Sequence, residues 1–396
     1  MFEQLIREDD LYMILYGASA MLSSVSCCYL LFRRANAIAP DITSPVRLRR
    51  WTAAFFASMA LSHLWYMPEF YLTSAEDILL CNLVGATLDF MTLVPFGIIV
   101  LLSMLQDRRR PLWPVCVAVA PLVVITTVCA AICSIALLPA LYVYYLFLGI
   151  GLLLYMVHEV RQYSRWLLDN YADLQHKEVW QSFIVFAFIL LFFGIYTLDP
   201  YYPTVKYIMQ LNNMILVGYL LWRVETLCDL GVEKVSDSED NPLIPEQSSP
   251  TRSLSDAEVP SPDSQHAFAT SPSQNLAPLL QKHCIDTQLY LQHDLTAMQL
   301  ARAIGTNRYY LSQYFSGQGI TYNAYINGLR IQHFMALYHK AVAIRQSVTA
   351  QQLTIESGFR NYRTFSNAFK QQTGQTVTSW MRCNARQEGT ESQELE

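Results

Sequence analysis

Thr296-Ala-Met-Gln-Leu-Ala-Arg-Ala-Ile-Gly305 returns later in the chain as Thr349-Ala-Gln-Gln-Leu-Thr-Ile-Glu-Ser-Gly358. The two stretches share the spacing T-A-x-Q-L-[A/T]-x-x-x-G. In each, Thr-x-x-Gln predicts a capping box that starts a helix, and the glycine supplies the positive φ of a tight turn. A second amphipathic run follows each glycine and ends at Phe315 or at Phe369. Each copy therefore predicts a helix-turn-helix motif, and the pair predicts a bipartite reader of DNA.

Residues 276–386 carry more of this pattern than the two repeats. The further pieces are Leu300-Ala301, Tyr310-Leu311-Ser312, Gly319 to Ile331, Phe359, Phe365, Lys370, Gly374 and Trp380 to Arg382. In this combination of spacings, residues 276–386 resemble the DNA-binding domain of the AraC/XylS family of bacterial transcription regulators. The resemblance implies an all-helical domain with two helix-turn-helix motifs, motif 1 and motif 2. Thr354 and Val377 depart from the family pattern, which usually has alanine and proline there.

The second helix of each motif is expected to enter the major groove as a recognition helix. Leu311 and Phe315 should face inward in motif 1, and Phe365 and Phe369 in motif 2. Amide side chains suit adenine edges, guanidinium suits guanine, and a threonine methyl suits thymine. The candidate DNA-contacting residues are Asn307, Arg308, Tyr309, Ser312, Gln313, Asn361, Tyr362, Arg363, Thr364 and Asn367. The resemblance implies base reading by all except Asn307, Arg308 and Asn361; for any one residue, a phosphate contact or plain exposure is the alternative.

Charge and length support the same interpretation of this region. Residues 276–386 contain eleven basic and three acidic residues, which gives +8, whereas the whole chain is −5. The acidic total therefore hides a basic module suited to nucleic acid. Residues 322–340 predict a long helix between the motifs, with Tyr325, Leu329 and Phe334 to Leu337 on its apolar side. Such a helix would hold the recognition helices near successive major grooves, about 34 Å apart.

The first 230 residues have a different composition. The chain is 53% hydrophobic and only 15% charged, and the apolar residues are concentrated before residue 225. Apolar stretches run at 11–32, 51–72, 79–105, 111–157, 180–198 and 203–222. As one helix, 111–157 would be about 70 Å long, more than twice a hydrocarbon core of about 30 Å, so it should fold back near Pro139. The sequence therefore predicts seven membrane spans and an all-α protein.

Positive charge between the spans predicts the orientation. The clusters are Arg33, Arg34, Arg47, Arg49 and Arg50, then Arg108 to Arg110, then Arg161, Arg165 and Lys177, then Arg223. They follow spans one, three, five and seven, while the opposite loops hold little positive charge beyond Lys206. We therefore expect a multi-pass protein of the bacterial cytoplasmic (inner) membrane, with its N-terminus outside and its C-terminal domain in the cytoplasm.

Composition also predicts the domain boundaries. Residues 1–230 form the predicted membrane domain, and residues 231–275 are rich in Ser, Pro and acidic residues and cannot build a core, which predicts a disordered linker. Residues 276–386 form the DNA-binding domain, and residues 387–396 an acidic tail. A flexible linker of this length would reach about 35 to 40 Å, which favours control by dimerisation, local concentration or release.

A few polar residues fall inside the predicted spans. His63 and Asp89 lie at similar depth and are expected to pair near the midplane, since an unpaired charge there is costly. The candidate sensor residues are His63, Glu69, Asp89, Asn212 and Asn213. A structural polar contact between helices is the alternative for this set.

The sequence offers little sign of other chemistry. Nine cysteines are scattered, and we find no metal motif, phosphate-binding loop or nucleophile elbow, so no cofactor, metal or enzyme activity is expected. The expected partners are double-stranded promoter DNA and the lipid bilayer, with RNA polymerase, a small-molecule or membrane signal, and a second copy as further hypotheses. The prediction is a membrane-bound one-component transcription regulator. A transporter-like protein that signals through an attached DNA-binding domain, and a membrane-anchored protein-interaction module, remain the alternatives.

Overall fold

The protein is all-helical, as the sequence predicts. The computed structural model describes residues 2–185, 187, 203–230, 276–344 and 346–384. Within these residues no β-strand forms; a single isolated bridge joins Tyr171 and Thr296. The described residues form two compact units. The N-terminal unit contains those up to Tyr163 and from His176 to 230, and the C-terminal unit contains Ser164–Gln175 with those from 276 onward.

Helices cover most of the described N-terminal region. They include α1 (Phe2–Phe32), α2 (Val46–Tyr66), α3 (Ala75–Met91), α4 (Leu93–Met104), α5 (Trp113–Ala131), α6 (Leu138–Leu168) and α7 (Pro203–Thr226). Within the N-terminal unit, α1 packs against α2 and α7, α2 against α4, and α3 against α5. A buried apolar cluster joins α4, α5 and α6 through residues such as Leu101, Val119 and Met156.

Among the described residues, four stretches are long and apolar enough to cross a membrane. They are Asp10–Phe32, Ala75–Met104, Trp113–Ala131 and Leu138–Leu168. The predicted fold-back of 111–157 is found, because one helix ends at Ala131 and the next begins at Leu138. Predicted spans two and seven form the helices α2 and α7, which are not among the four. Most of predicted span six, 180–198, lies outside the described residues. The total of seven spans therefore stays a prediction.

Two predicted spans differ in detail from regular helices. In span two the α-helix ends at Tyr66, and the chain continues as a 3-10 helix over Met67–Tyr71, which has Pro68 at its start. Span three is interrupted at Thr92 between α3 and α4. Pro95 follows this break, and its missing N–H removes one bond of a continuous helix.

The described C-terminal domain consists of short helices around one long one. They are α8 (Leu276–Leu280), α9 (Ala297–Ala303), α10 (Arg308–Gly317), α11 (Tyr322–Ala343), α12 (Ala350–Glu356) and α13 (Tyr362–Thr373). A further helix begins at residue 377. The predicted linker and acidic tail, at 231–275 and 387–396, lie outside the described residues.

Helix α11 connects two separate apolar cores. Its first part contributes Tyr322 and Ile326 to the core of motif 1. Its second part contributes Phe334 and Tyr338 to the core of motif 2. The predicted helix over 322–340 is thus confirmed. Its deepest apolar side differs from the predicted one, because Tyr325 and Leu329, which we expected there, are only partly buried.

Candidate DNA-binding surface

The first helix of each motif begins at the threonine that the repeat indicates. Thr296 forms a complete capping box with Gln299: the Gln299 N–H donates to Thr296 Oγ1 at 3.2 Å, and the Thr296 N–H donates to Gln299 Oε1 at 3.0 Å. Thr349 accepts from the Gln352 N–H at 3.2 Å, but the Gln352 side chain donates to Glu356 Oε1 at 3.3 Å. The second predicted capping box is therefore only half formed, since the Gln352 side chain is bonded to Glu356 four residues later and not to the Thr349 N–H.

Both repeat glycines have the positive φ that the sequence predicts, +72° at Gly305 and +86° at Gly358. Gly358 has a second constraint. A Cβ placed on it would lie 2.7 Å from the Cα of Leu291, whereas one on Gly305 would meet nothing within 4 Å. Gly358 therefore allows motif 2 to approach the backbone of the loop before motif 1.

The two asparagines at the start of the recognition helices are N-caps. The Asn307 side chain accepts from the Tyr310 N–H at 3.0 Å and starts α10, and Asn361 accepts from the Thr364 N–H at 2.8 Å and starts α13. An amide oxygen held in this way is not available to an adenine edge. Capping is therefore the role that the structure gives Asn307 and Asn361.

The two N-cap asparagines reveal a second sequence repeat, which was not among the predicted motifs. Asn307 and Asn361 each begin the pattern N-x-x-x-[L/F]-S-[Q/N]-x-F, which was visible in the sequence. The turn before it is one residue longer in motif 2. This alignment places Ser366, absent from the predicted set, at the position that Ser312 has in motif 1.

The recognition helices bury and expose the residues that the spacing predicts. Leu311, Phe315, Phe365 and Phe369 are all at most 2% exposed. The predicted DNA-contacting residues on the two helices are exposed at Tyr309, Gln313, Tyr362, Arg363 and Asn367 and half-buried at Arg308, Ser312 and Thr364. Each helix thus presents polar groups of the types that bind base edges and phosphates.

The two departures from the family pattern are accommodated in the core of motif 2. Thr354 is fully buried, and its hydroxyl donates to the Ala350 carbonyl at 2.7 Å. The hydroxyl is therefore satisfied by the helix itself and leaves no unpaired polar group. Val377 is 1% exposed and belongs to the same apolar core.

Arg330 is not part of the basic surface, although it counts toward the +8 charge. It is 1% exposed and donates to the carbonyls of Tyr290 and Gln292, both at 2.7 Å, while its guanidinium lies 5.5 Å from the centre of the Phe359 ring. Burial lowers the pKa of Arg330 below its ordinary value. This residue holds the loop before motif 1 onto α11.

Other basic residues also differ in what they can offer DNA. Arg360 forms an ion pair with Asp294 at 3.0 Å. Arg345 and Arg386 lie outside the described residues. Lys282, Lys340, Arg363, Lys370 and Arg382 are exposed in the described domain, although the second helix of motif 1 has only half-buried Arg308.

The candidate sensor residues form two polar groups in the N-terminal unit. His63 lies between the Met59 carbonyl at 2.7 Å and Gln210 Oε1 at 3.1 Å. Asp89 accepts from Ser62 Oγ and Trp65 Nε1, each at 3.1 Å. The predicted pairing of His63 with Asp89 is wrong for the described structure, because each has satisfied its polar atoms with other partners.

In the part of the chain that the structure describes, none of the remaining candidates forms a side-chain hydrogen bond to His63 or Asp89. Glu69 is exposed in the 3-10 helix after α2. Asn212 and Asn213 are half-buried on α7, next to the turn of helix that carries Gln210. Gln210, which the sequence analysis did not select, is the residue that ties α7 to His63. The described residues also contain no group of three or more His, Cys, Asp or Glu able to hold a metal ion.

Comparison with known proteins identifies the C-terminal region. A family model described as a helix-turn-helix domain matches residues 300–382. The match includes both recognition helices and α11, and it makes this region a DNA-binding helix-turn-helix domain of the AraC type, a class that serves transcription regulation. Such domains are typically not enzymes. No curated protein and no solved structure matches the chain.

Proposed function

We propose that the protein is a membrane-bound one-component transcription regulator that reads promoter DNA with two recognition helices under the control of its membrane domain. One observation carries the proposal: α10 and α13 bury their apolar sides in two cores and expose polar side chains from their first turns. The first turns of recognition helices are the parts that reach base edges in the major groove.

The spacing of the two motifs supports simultaneous binding. Helix α11 has 22 residues and a length of about 33 Å at 1.5 Å per residue. It contributes to the core of motif 1 at one end and of motif 2 at the other. Successive major grooves on one face of DNA are about 34 Å apart. A single copy of the domain can therefore place one recognition helix in each groove.

We also propose which residues contact the bases. With Asn307 and Asn361 used as caps, we assign base contacts to Tyr309, Ser312 and Gln313 in motif 1 and to Arg363, Thr364 and Asn367 in motif 2. Ser366 joins them as the counterpart of Ser312. Arg308 and Tyr362, in the first turn of each helix, are assigned to the phosphates beside the groove.

The membrane part of the proposal rests on apolar helices and positive charge. Four described stretches are long and apolar enough to span a bilayer. The arginine clusters support an orientation with the N-terminus outside and the C-terminal domain in the cytoplasm, where DNA is. The groups around His63 and Asp89 are the proposed response site, because polar clusters among membrane helices are more often functional than incidental.

DNA selection with the full-length protein in lipid nanodiscs tests this function. Wild-type protein should enrich one sequence family, and Gln313→Ala should weaken binding to it by about 1 to 3 kcal/mol. Gln318→Ala is the matched control, since Gln318 is an exposed glutamine at the far end of the same helix and should leave affinity unchanged. Enrichment of no sequence, or equal effects of both substitutions, would contradict the proposal.

A further inference from the structure

Segment 164–175, which follows directly on the apolar part of α6, belongs to the same compact unit as the DNA-binding domain. It pairs with the start of motif 1 as a short antiparallel contact. The Ala172 N–H donates to the Leu295 carbonyl at 3.3 Å, and the Ala297 N–H donates to the Asn170 carbonyl at 2.9 Å. The Ala297 N–H is one of the first-turn donors that a helix cannot satisfy itself. The segment thus supplies an acceptor for the first turn of α9.

Side chains reinforce this backbone pairing. Asn323, near the start of α11, donates from Nδ2 to the carbonyls of Tyr171 at 3.0 Å and of Ala172 at 2.7 Å. Ala172 is 1% exposed and is part of the apolar core of motif 1. Tyr171 is 5% exposed and packs edge-on against Trp166. A segment with a buried side chain and paired carbonyls is a bound element rather than a loop lying on the surface.

Two side chains of the segment lie near the starts of the recognition helices. Asn361, the N-cap of α13, donates from Nδ2 to the side-chain oxygen of Gln175. Burial raises the pKa of Asp169, and the nearby positive charge of Arg308, the first residue of α10, opposes that rise. Gln175 thus contacts the N-cap of α13, and the charge of Asp169 is near enough to Arg308 to interact with it. A carboxylate beside Arg308 also repels the phosphates which that arginine would bind.

We propose that segment 164–175 is an intramolecular competitor of promoter DNA, which when docked holds the N-cap of α13 through Gln175 and brings the negative charge of Asp169 near Arg308 of α10. The inference rests on the proposed function, because it assigns a regulator to the same surface. A domain that is docked for about 90% of the time has an apparent DNA affinity about tenfold weaker than the undocked domain. Since the segment continues α6, a candidate span, a shift of that helix reaches it without passing through 231–275.

A reversible crosslink tests the competition in one protein. Tyr171 and Thr296 face each other as a non-hydrogen-bonded antiparallel pair, whose Cα atoms lie about 4.5 Å apart, within the range for a disulfide. The variant Tyr171→Cys with Thr296→Cys is prepared as full-length protein in nanodiscs. Oxidation should lower DNA affinity at least tenfold, and reduction should restore it. Thr296→Cys alone is the control for loss of the helix cap and should not respond to oxidation.

Substitutions that undock the segment should raise DNA affinity. Ala172→Arg places a charged side chain where a buried methyl group sits and should raise DNA affinity about tenfold. Asp169→Asn should raise it more than Asp286→Asn, which makes the same charge change on an exposed aspartate of the same unit. Hydrogen exchange in α11 verifies that the domain of each variant is folded.

The outcomes separate the two proposals. Equal affinity in the oxidised and reduced states, or weaker binding by a folded Ala172→Arg protein, would overturn the competition while leaving the DNA-binding function in place. Absence of sequence-selective binding in the reduced and undocked proteins would overturn both.

Discussion

At the scale of single residues, Arg330 shows how a charge can serve packing instead of DNA. Its guanidinium is enclosed, with two carbonyls as acceptors and the Phe359 ring beside it. The carbonyls belong to Tyr290 and Gln292, and the residue between them, Leu291, abuts Gly358. The arginine therefore stabilises the place where the loop, α11 and motif 2 meet. This contact holds motif 1 and motif 2, and with them the two recognition helices, in a fixed relation to each other.

We predict that Arg330→Met destabilises the C-terminal domain by about 2 to 4 kcal/mol, because the buried Tyr290 carbonyl and the partly buried Gln292 carbonyl both lose this donor. Hydrogen exchange of α11 in the full-length protein measures the change as faster opening. Arg382→Met, which removes an exposed arginine from the last described helix, should change the same exchange by less than about 0.5 kcal/mol. Unchanged protection in Arg330→Met would show that the buried contacts do not stabilise the domain.

At the scale of helices, the two motifs share the same order of helix, turn and helix but differ in their capping boxes and turn lengths. Motif 1 has a complete capping box and a short turn, while motif 2 has half a box and a longer turn. Motif 2 places its arginine on the exposed side of the recognition helix at Arg363, whereas the arginine of motif 1, Arg308, is half-buried. We therefore expect motif 2 to contribute the guanine-directed contact.

Arg363→Ala should cost about 1 to 3 kcal/mol on the cognate site and relax base preference at one position. Lys370→Ala, in the last turn of the same helix, can reach phosphate at most and should weaken all sequences alike, with a salt slope shallower by about one ion. Binding to a library of single-base variants at several salt concentrations distinguishes the two effects. Uniform weakening by both substitutions would mean that α13 only clamps the backbone.

The helices themselves were predictable because their signals are local. Capping threonines, turn glycines and the spacing of Leu311, Phe315, Phe365 and Phe369 are set within a few residues. Contacts between distant residues were not predictable in this way. The predicted pairing of His63 with Asp89 rested on their similar depth in the predicted spans. Depth does not report the rotation of a helix about its axis, and in the structure His63 points toward Gln210. The docked segment 164–175 also has no local signal, since its pairing depends on backbone carbonyls.

At the scale of the whole molecule, an apolar N-terminal region and a basic C-terminal domain share one chain. The charge difference and the four candidate spans among the described residues suggest that the two parts lie in different environments. Segment 164–175 adds a link in sequence between the two that is separate from residues 231–275. Under the proposed competition, control of DNA binding runs through the loop after α6 as well as through the predicted linker.

The orientation of the chain is testable with reporter fusions. Because the arginine clusters alternate with nearly uncharged loops, fusions after Arg34, Ser164 and Val235 should report the cytoplasm, and a fusion after Glu76 the outside. Alkaline phosphatase and a cytoplasmic fluorescent protein, fused in parallel, give complementary signals. An external result at Ser164 would remove the docking segment from the compartment of the DNA-binding domain, and one at Val235 would remove the domain from DNA.

Hydroxyl-radical footprinting of a selected DNA site, bound by the full-length protein in nanodiscs, tests the central claim most directly. Two protected segments are expected on one face of the duplex, with centres about one helical turn apart. Gln313→Ala should weaken protection of one segment and Arg363→Ala that of the other. A single protected segment, or loss of both segments together in either variant, would contradict a membrane-bound regulator that reads DNA with two separate recognition helices.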